Sequence, residues 1–233
     1  MNTNSNTYTI GYASILVVVV AFLLAFVSKT LEPQSLANER IDKKKQILAA
    51  LNVRGVDNNK VEEEYAKYVV ADQIITAEGV VKNEGKDKDQ AGFLVDTKNI
   101  SDECLPLYVC SVNGETKYVI PLSGKGLWGA IWGYLALNAD KNTVYGAYFS
   151  HQSETAGLGA RITEETFQNE FQGKKLHEDK MTDIKLEVAK FGKATNDTFQ
   201  CDGISGATLT MNGMTAMFRE CLTKYISFLT ATE

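Results

Sequence analysis

Residues 202–229 read DGISGATLTMNGMTAMFRECLTKYISFL, a short run of small residues followed by a long stretch with a regular apolar period. Apolar side chains in this stretch recur at steps of three and four residues, at positions 211, 214, 218, 221, 222, 225, 226 and 229. That spacing places them on one face of a helix. The pattern therefore predicts an amphipathic helix over residues 209–229, with its apolar face packed on a sheet.

The sheet is predicted from the segment that precedes this helix. Residues 107–112 and 116–120 flank Asn113-Gly114, which is a strong signal for a two-residue hairpin turn. Residues 134–137 and 143–149 flank a longer turn in the same way. Because strands and helices do not alternate regularly, the predicted fold class is α+β, with antiparallel hairpins and a long C-terminal helix.

The N-terminal end of the chain has a different composition. The first 28 residues contain no Asp, Glu, Lys or Arg, and Lys29 is the first charged residue. Residues 9–28 form a predicted helix of about 20 residues, which spans a hydrocarbon core of about 30 Å. The alternative is a cleaved signal peptide, but the segment lacks a basic start and its apolar run exceeds the usual length of about 7–15 residues. A retained single-span anchor is therefore predicted.

Four segments follow from these changes in composition. Residues 1–8 form an N-terminal tail, residues 9–28 the transmembrane helix, residues 29–90 a helical and mixed linker region of the soluble domain, and residues 91–233 the main soluble domain. Lysine and arginine residues follow the span and none precedes it, which weakly favours a cytoplasmic soluble domain by the positive-inside rule.

The composition also argues against binding of nucleic acid and of metal ions. The net charge is −5 and no basic stripe with interleaved aromatic residues occurs, so nucleic acid is not an expected partner. The chain has only two histidines, and none of its four cysteines forms a CxxC pair. No metal site is therefore predicted.

The small residues at positions 202–208 deliver Thr208 to the start of the predicted helix. Small side chains let a bulky group approach the backbone closely, and the first-turn N–H groups of a helix favour a bound phosphate. The alternative is that Ser205 or Thr208 simply caps the helix. A P-loop is excluded because no Gly-Lys-Ser/Thr follows at the required spacing. The residues alone leave the phosphate site and the cap both open.

The same stretch resembles the D-x-x-S/T-G-A-T signature of the FMN-binding domain family. The resemblance implies that residues 91–233 form an FMN-binding domain. It also implies that Thr208 carries FMN through a phosphoester bond to its side-chain oxygen, installed by a separate flavin transferase. Thr210 lies two positions later and is not the acceptor of the motif. The other positions of the signature are matched by Asp202, Ser205, Gly206 and Ala207.

A second stretch, residues 150–159, reads SHQSETAGLG and resembles the H-x-x-E-T-P-G-L-G loop of the same family, with Ala156 where Pro is common. The resemblance implies a loop that lines the cofactor, with glycines that permit close approach to a flat ring and with Leu158 covering that ring. The alternative is a surface loop that follows a strand. The implied cofactor-binding residues are Glu154, Thr155, Gly157, Leu158 and Gly159.

A third stretch, residues 124–134, reads GKGLWGAIWGY and resembles the G-x-G-L-W segment of the C subunits of Na+-translocating NADH:quinone reductases. Leu127 and Trp128 are thereby implied to shape the wall of the flavin pocket, whereas the alternative for Trp128 and Trp132 is packing in the core. The G subunits of Rnf-type ferredoxin:NAD oxidoreductases share the anchor and the threonine motif, but usually lack this segment. The other alternative is an anchored FMN-binding module without a respiratory role.

The resemblance implies an electron-relay subunit of a sodium-pumping translocase in the bacterial inner membrane. In this family FMN takes an electron from an iron–sulfur centre between membrane subunits and passes it to a flavin on the B subunit. No catalytic residue is expected, since the flavin performs the redox chemistry. The family has its flavin domain on the periplasmic side, and we prefer that implication to the weak Lys/Arg signal. In that compartment Cys104 and Cys110 could form a disulfide, with two separate thiols as the alternative.

Overall fold

A computed structural model describes residues 5–96, 100–178 and 183–231 of the chain. The chain divides into two compact units, Met1–Lys43 and Lys44–Glu233. The first helix, α1 (Asn6–Ala50), begins in the first unit and ends in the second. The four segments predicted from composition stay a prediction, and residues 1–4 of the predicted tail lie outside the described residues.

Helix α1 contains the predicted membrane-spanning segment. It begins at Asn6 and continues without interruption past residue 28 and through Pro33. Its most apolar window has a mean hydropathy of 2.8, so this helix is long and apolar enough to cross a membrane. The valines at positions 17–20 are exposed, as side chains that face lipid would be. In lipid a run of β-branched residues is helical, because only the helix satisfies its own backbone hydrogen bonds.

The described part of the second unit is built on a six-stranded antiparallel sheet with the order β2-β1-β3-β4-β5-β6. Asn113 and Gly114 join β3 to β4, both with positive φ (54° and 83°), so this hairpin is confirmed. The second predicted hairpin is confirmed as β5 and β6. The strands are β1 (Val69–Ile75), β2 (Val81–Asn83), β3 (Leu105–Val112), β4 (Glu115–Lys125), β5 (Ala130–Leu137) and β6 (Val144–His151).

Helices cover both faces of this sheet. On one face α4 (Thr208–Thr223) packs its apolar side chains against the strands, as its periodicity predicted. On the other face the last two turns of α1 pack together with α2 (Val61–Tyr68). Each fully buried large apolar side chain contributes about 1.5–3 kcal/mol. The helical side chains in these two clusters include Met211, Met214, Phe218 and Leu222 from α4, and Ile47 and Leu48 from α1.

The predicted C-terminal helix is divided into two helices. Helix α4 ends at Thr223, and a short helix, α5 (Ile226–Thr230), follows it. Tyr225 lies between them with its ring buried, and its hydroxyl donates a hydrogen bond of 2.8 Å to the carbonyl of Pro106 on β3. This contact spans 119 positions of the chain, so the local apolar period could not reveal it. The α+β fold class itself is confirmed.

A buried lysine fixes the end of α1 within the second unit. Lys44 is 2% exposed, and its Nζ lies 2.5 Å from Glu62 Oε2 and 3.0 Å from Asp89 Oδ2. The ammonium also lies 5.0 Å from the centre of the Tyr65 ring. A buried charge is tolerated only when it is paired, and these partners provide that pairing. Lys44 stands in a run of three lysines, so the sequence gives no sign that one of them is buried.

Smaller elements complete the second unit. A parallel pair of two-residue strands lies beside α4, where the backbone N–H of Val188 donates to Thr215 Oγ1 at 3.0 Å. Cys104 and Cys110 are both free, so the structure contains the separate thiols and not the disulfide. These elements are α3 (Glu165–Asn169), β7 (Glu187–Val188), β8 (Gln200–Cys201) and the 3₁₀ turns Gly92–Leu94 and Gly159–Thr163.

Candidate cofactor site

Thr208 is the first residue of α4. Ala207 occupies the N-cap position before it, and no side chain caps the helix there. Thr208 and Ser205 are exposed. The structure therefore does not support a capping role for either side chain, and Thr208 remains an exposed residue.

The backbone at the start of α4 suits an anion. The helix has 16 residues, and the N–H of Met211 donates to the carbonyl of Ala207 at 3.0 Å, which closes the first turn. The N–H groups of the preceding first-turn residues have no acceptor within the helix, and the helix dipole adds a partial positive charge. A phosphate could therefore be held next to the Thr208 hydroxyl.

A cavity of about 120 Å³ adjoins Thr208. The three stretches singled out from the sequence meet in its wall, although they lie far apart along the chain. The residues that line the cavity are Leu127, Glu154, Thr155, Leu158, Gly159, Gly206, Ala207, Thr208, Leu209 and Thr210. Four of the predicted site residues are not among them: Trp128, Gly157, Asp202 and Ser205.

The carboxylate of Glu154 connects these three stretches. Its Oε1 accepts a hydrogen bond of 2.8 Å from the backbone N–H of Trp128, in the loop between β4 and β5. Its Oε2 accepts a hydrogen bond of 2.6 Å from the hydroxyl of Thr210, in the first turn of α4. Glu154 is 7% exposed, so both bonds are shielded from solvent. Charge-assisted hydrogen bonds of this kind are shorter and stronger than neutral ones.

Hydrogen bonds and a nearby histidine keep Glu154 ionised. Burial of the carboxylate raises its pKa, but the hydrogen bonds from Thr210, Trp128 and Gly129, together with the electrostatic effect of His151, lower it further than burial raises it. The net result is a Glu154 pKa below its ordinary value. The side chain is therefore negatively charged at neutral pH.

Two glycines make room for this carboxylate. A Cβ atom at Gly126 would lie 2.5 Å from Glu154 Oε1. A Cβ atom at Gly159 would lie 2.5 Å from Glu154 Oε2 and equally close to Thr210 Oγ1. Both positions therefore require glycine for close packing, and not for an unusual backbone conformation.

The two neighbouring threonines of α4 differ sharply. Thr210 is 1% exposed and its hydroxyl is bound to Glu154. Thr208 is exposed, and its hydroxyl lies at the edge of the cavity. In the sequence, the motif position alone distinguished Thr210 from Thr208. On an α-helix, side chains two residues apart are rotated by about 200° around the axis, and this spacing is the local signal that Thr208 and Thr210 face different ways.

The loop after β6 forms a tight turn. The N–H of Leu158 donates to the carbonyl of Thr155 at 3.1 Å, and Gly157 has a φ of +76°. This arrangement is that of a type II turn, in which the third residue needs positive φ and the second favours proline. Ala156 occupies that second position, so the departure from the family pattern leaves the turn in place.

The loop between β4 and β5 is held by two kinds of hydrogen bond. Within the loop, the N–H of Gly126 donates to the carbonyl of Gly129 at 2.8 Å. From the loop after β6, Ser153 Oγ donates to the carbonyl of Trp128 at 3.1 Å. The Trp128 side chain is 67% exposed, so it is not a core residue. Trp132 is half-buried on β5, and its Nε1–H donates to Gln46 Oε1 at 3.2 Å.

Asp202 is not among the residues that line the cavity, and its side chain binds another loop. Its carboxylate accepts hydrogen bonds from the backbone N–H groups of Gly192, at 2.8 Å, and Lys193, at 3.3 Å. Burial acts to raise the pKa of Asp202, but these backbone hydrogen bonds lower it below its ordinary value. The first residue of the D-x-x-S/T-G-A-T signature therefore fixes the loop that precedes β8.

The surroundings of Thr208 fit FMN. Leu127, Leu158 and Leu209 line the cavity, and each is at least 40% exposed, which provides an apolar rim for a flat aromatic ring. Gly206 has a φ of +77°, and a Cβ there would lie 2.8 Å from Leu158 Cδ2. Ligand pockets usually hold about 300–1,000 Å³, so the cavity is too small to enclose the cofactor and the rim must supply the remaining contacts.

Known proteins resemble this chain along most of its length. The sequence pattern of the FMN-binding domain family matches residues 126–223. The C subunit of the Na(+)-translocating NADH-quinone reductase of Haemophilus ducreyi is 30% identical over 234 residues, covering 94% of this chain and 90% of that protein. Its counterpart in Vibrio alginolyticus is 30% identical over 237 residues, covering 93% and 90%. The crystal structure of the counterpart from Parabacteroides distasonis has a TM-score of 0.79 and 37% identity, covering 87% of this chain and 98% of that one.

Proposed function

Because the chain belongs to the family of Na+-translocating NADH-quinone reductase C subunits, we propose that it carries FMN on Thr208 and relays electrons inside that complex. At the coarser level the chain is a flavoprotein subunit of a multi-subunit, sodium-transporting oxidoreductase, anchored in the membrane by α1. The relatives carry C-subunit names, which favours this family over the G subunits of Rnf-type complexes.

The proposed attachment rests on the difference in exposure between Thr208 and Thr210. A phosphoester bond needs a hydroxyl that a transferase can reach and that is not already engaged. Thr208 is exposed at the edge of the cavity, whereas Thr210 is buried and bound to Glu154 Oε2 at 2.6 Å. The family motif and the exposure of the side chains therefore select the same residue.

The residues of this chain bind and orient the cofactor. When bound, FMN supplies a ring that accepts and passes on single electrons. The first turn of α4 offers N–H groups to the phosphate, and Leu127 and Leu158 offer apolar surface to the ring and exclude water from it. A covalent tether keeps the cofactor in place between electron transfers, independent of noncovalent affinity.

The proposal also covers the partner proteins and the side of the membrane on which the soluble domain lies. The electron comes from an iron–sulfur centre held between membrane subunits and goes to a flavin on the B subunit, while a flavin transferase attaches FMN. The soluble domain faces the periplasm of a bacterial inner membrane. Support for the assembly is the membership in a family of complex subunits, together with the one described helix that is able to span a membrane.

Peptide mass spectrometry tests the attachment. Trypsin releases residues 194–219 as one peptide, which contains both Thr208 and Thr210. We expect this peptide to carry the added mass of FMN, and fragmentation to assign it to Thr208. Thr208→Val should abolish flavin fluorescence in denaturing gels, while Thr210→Val, the matched control, should retain it. An unmodified peptide from cells that contain the transferase would refute the attachment.

Two further measurements test the partners and the membrane side. Copurification with the other reductase subunits is expected, and isolation as a free flavoprotein would favour a non-respiratory FMN-binding module. Protease added outside intact spheroplasts should digest the soluble domain. Full protection of that domain would place it in the cytoplasm.

A further inference from the structure

Glu154 brings a negative charge to the cavity beside Thr208. It is the one charged side chain among the described residues that line this cavity. Its hydrogen-bond donors are neutral groups, the N–H of Trp128 and the hydroxyl of Thr210. His151 is also close: its Nδ1 accepts a hydrogen bond of 3.1 Å from the N–H of Glu154, and its electrostatic effect lowers the pKa of Glu154. The field of the carboxylate therefore acts on whatever occupies the cavity.

The same carboxylate holds two walls of the site in place. One wall is the loop that carries Leu127 and Trp128, and the other is the first turn of α4, which carries Thr208. A Cβ atom at Gly126 or Gly159 would lie 2.5 Å from one of its oxygens, so the two glycines leave the space that the hydrogen-bonded carboxylate fills. Its charge is consequently fixed at one place relative to the Thr208 hydroxyl.

We propose that Glu154 is a positioning residue of the flavin site and that its charge lowers the reduction potential of the flavin carried on Thr208. This inference rests on the attachment proposed above. When oxidised flavin accepts one electron from a reductant, no bond forms or breaks and the flavin gains one negative charge. A fixed negative charge nearby raises the free energy of that reduced form, because like charges repel with an energy that falls as the inverse of their distance.

Glu154→Gln removes the negative charge and keeps the side-chain hydrogen bonds that hold the two walls of the site. The amide oxygen of glutamine can still accept from the N–H of Trp128, and its NH₂ group can donate to Thr210 Oγ1. The matched control is Glu115→Gln, which removes the same charge from an exposed side chain at the start of β4. Ten residues of strand, or about 33 Å, separate Glu115 from Lys125 at the other end of that strand.

The test is a redox titration of the full chain in detergent, with mediators and dithionite, followed by flavin absorbance. At a fixed ambient potential we expect Glu154→Gln to raise the ratio of one-electron-reduced to oxidised flavin about fourfold to tenfold, where tenfold equals about 59 mV for this one-electron couple. Glu115→Gln should leave the ratio unchanged. A Glu154→Gln protein that carries flavin and titrates like the unmodified sequence would overturn the inference.

Two outcomes distinguish a failure of this inference from a failure of the proposed attachment of FMN. If the peptide with Thr208 is unmodified in the original sequence, the proposed function fails and this inference fails with it. If Thr208 is modified and the potential does not respond, only the inference fails. Should Glu154→Gln not fold, Glu154→Ala decides: it removes the charge together with both side-chain hydrogen bonds, so the ratio of reduced to oxidised flavin should again rise. An unchanged ratio in Glu154→Ala would then contradict the inference.

Discussion

The hydroxyl of Thr210 donates a hydrogen bond of 2.6 Å to the carboxylate of Glu154, and both side chains are buried. This contact joins the first turn of α4 to the loop after β6, across 56 positions of the chain. It leaves Thr208, two residues earlier, as the exposed hydroxyl at the cavity. The relationship determines which threonine is accessible and how firmly the site is held.

Thr210→Val should destabilise the domain, because valine has a similar shape but no hydroxyl to donate to the buried carboxylate. Loss of a hydrogen bond to a charged group costs about 1.5–3 kcal/mol. Urea unfolding followed by circular dichroism measures the difference. In protein produced without the flavin transferase, Thr208→Val is the matched control and should change the unfolding free energy little, since Thr208 is exposed. Equal losses in the two variants would contradict the assigned role of Thr210.

Glu154 should contribute to the acid dependence of stability. Its folded pKa lies below the ordinary value of 4.5, because the effect of burial is outweighed by hydrogen bonds, chiefly from the Thr210 hydroxyl, together with the electrostatic effect of His151. The stabilisation is therefore fully present above about pH 4.5 and is lost as the pH falls toward the folded pKa. Unfolding free energies measured from pH 7 to pH 3 should fall less steeply in Glu154→Gln. A slope unchanged by this substitution would argue that the carboxylate is not stabilised by these bonds.

Ala156→Pro should stabilise the loop after β6. Ala156 occupies the second position of a type II turn, where proline fits, and proline restricts the unfolded chain. The expected gain is about 0.4–1 kcal/mol, seen as a higher melting temperature. Gly157→Ala is the contrasting variant, and it should lower the melting temperature because Gly157 has a φ of +76°. A lower melting temperature for Ala156→Pro would show that the turn is not of this type.

Asp202→Ala should loosen the loop before β8. The substitution removes the acceptor for the N–H groups of Gly192 and Lys193, which Asp202 holds at 2.8 and 3.3 Å. We expect trypsin to cleave after Lys193 faster than in the original sequence, measured by the appearance of the fragment ending there. Asp202→Asn keeps one acceptor oxygen and should give an intermediate rate. Identical cleavage rates in all three proteins would exclude this role for Asp202.

Local patterns in the sequence were sufficient for much of the fold. The uncharged N-terminal stretch predicts the apolar part of α1, and Asn113-Gly114 predicts the turn between β3 and β4, since both depend on neighbouring residues only. The apolar period also predicts that α4 packs on the sheet, but not that the helix is interrupted near Tyr225. That interruption accompanies a bond to Pro106, which is remote in the chain.

The sequence by itself determined the apolar segment that is long enough to span a membrane, the hairpins, the amphipathic face of α4 and the three stretches that resemble the family. Only the tertiary structure decided that these stretches meet at one cavity, that Thr210 is buried against Glu154, and that Asp202 fixes a separate loop. The physical reason is the range of the interactions. Turns and helix faces arise from residues a few positions apart, whereas a buried carboxylate finds its donors 26 and 56 positions away, where no local pattern records them.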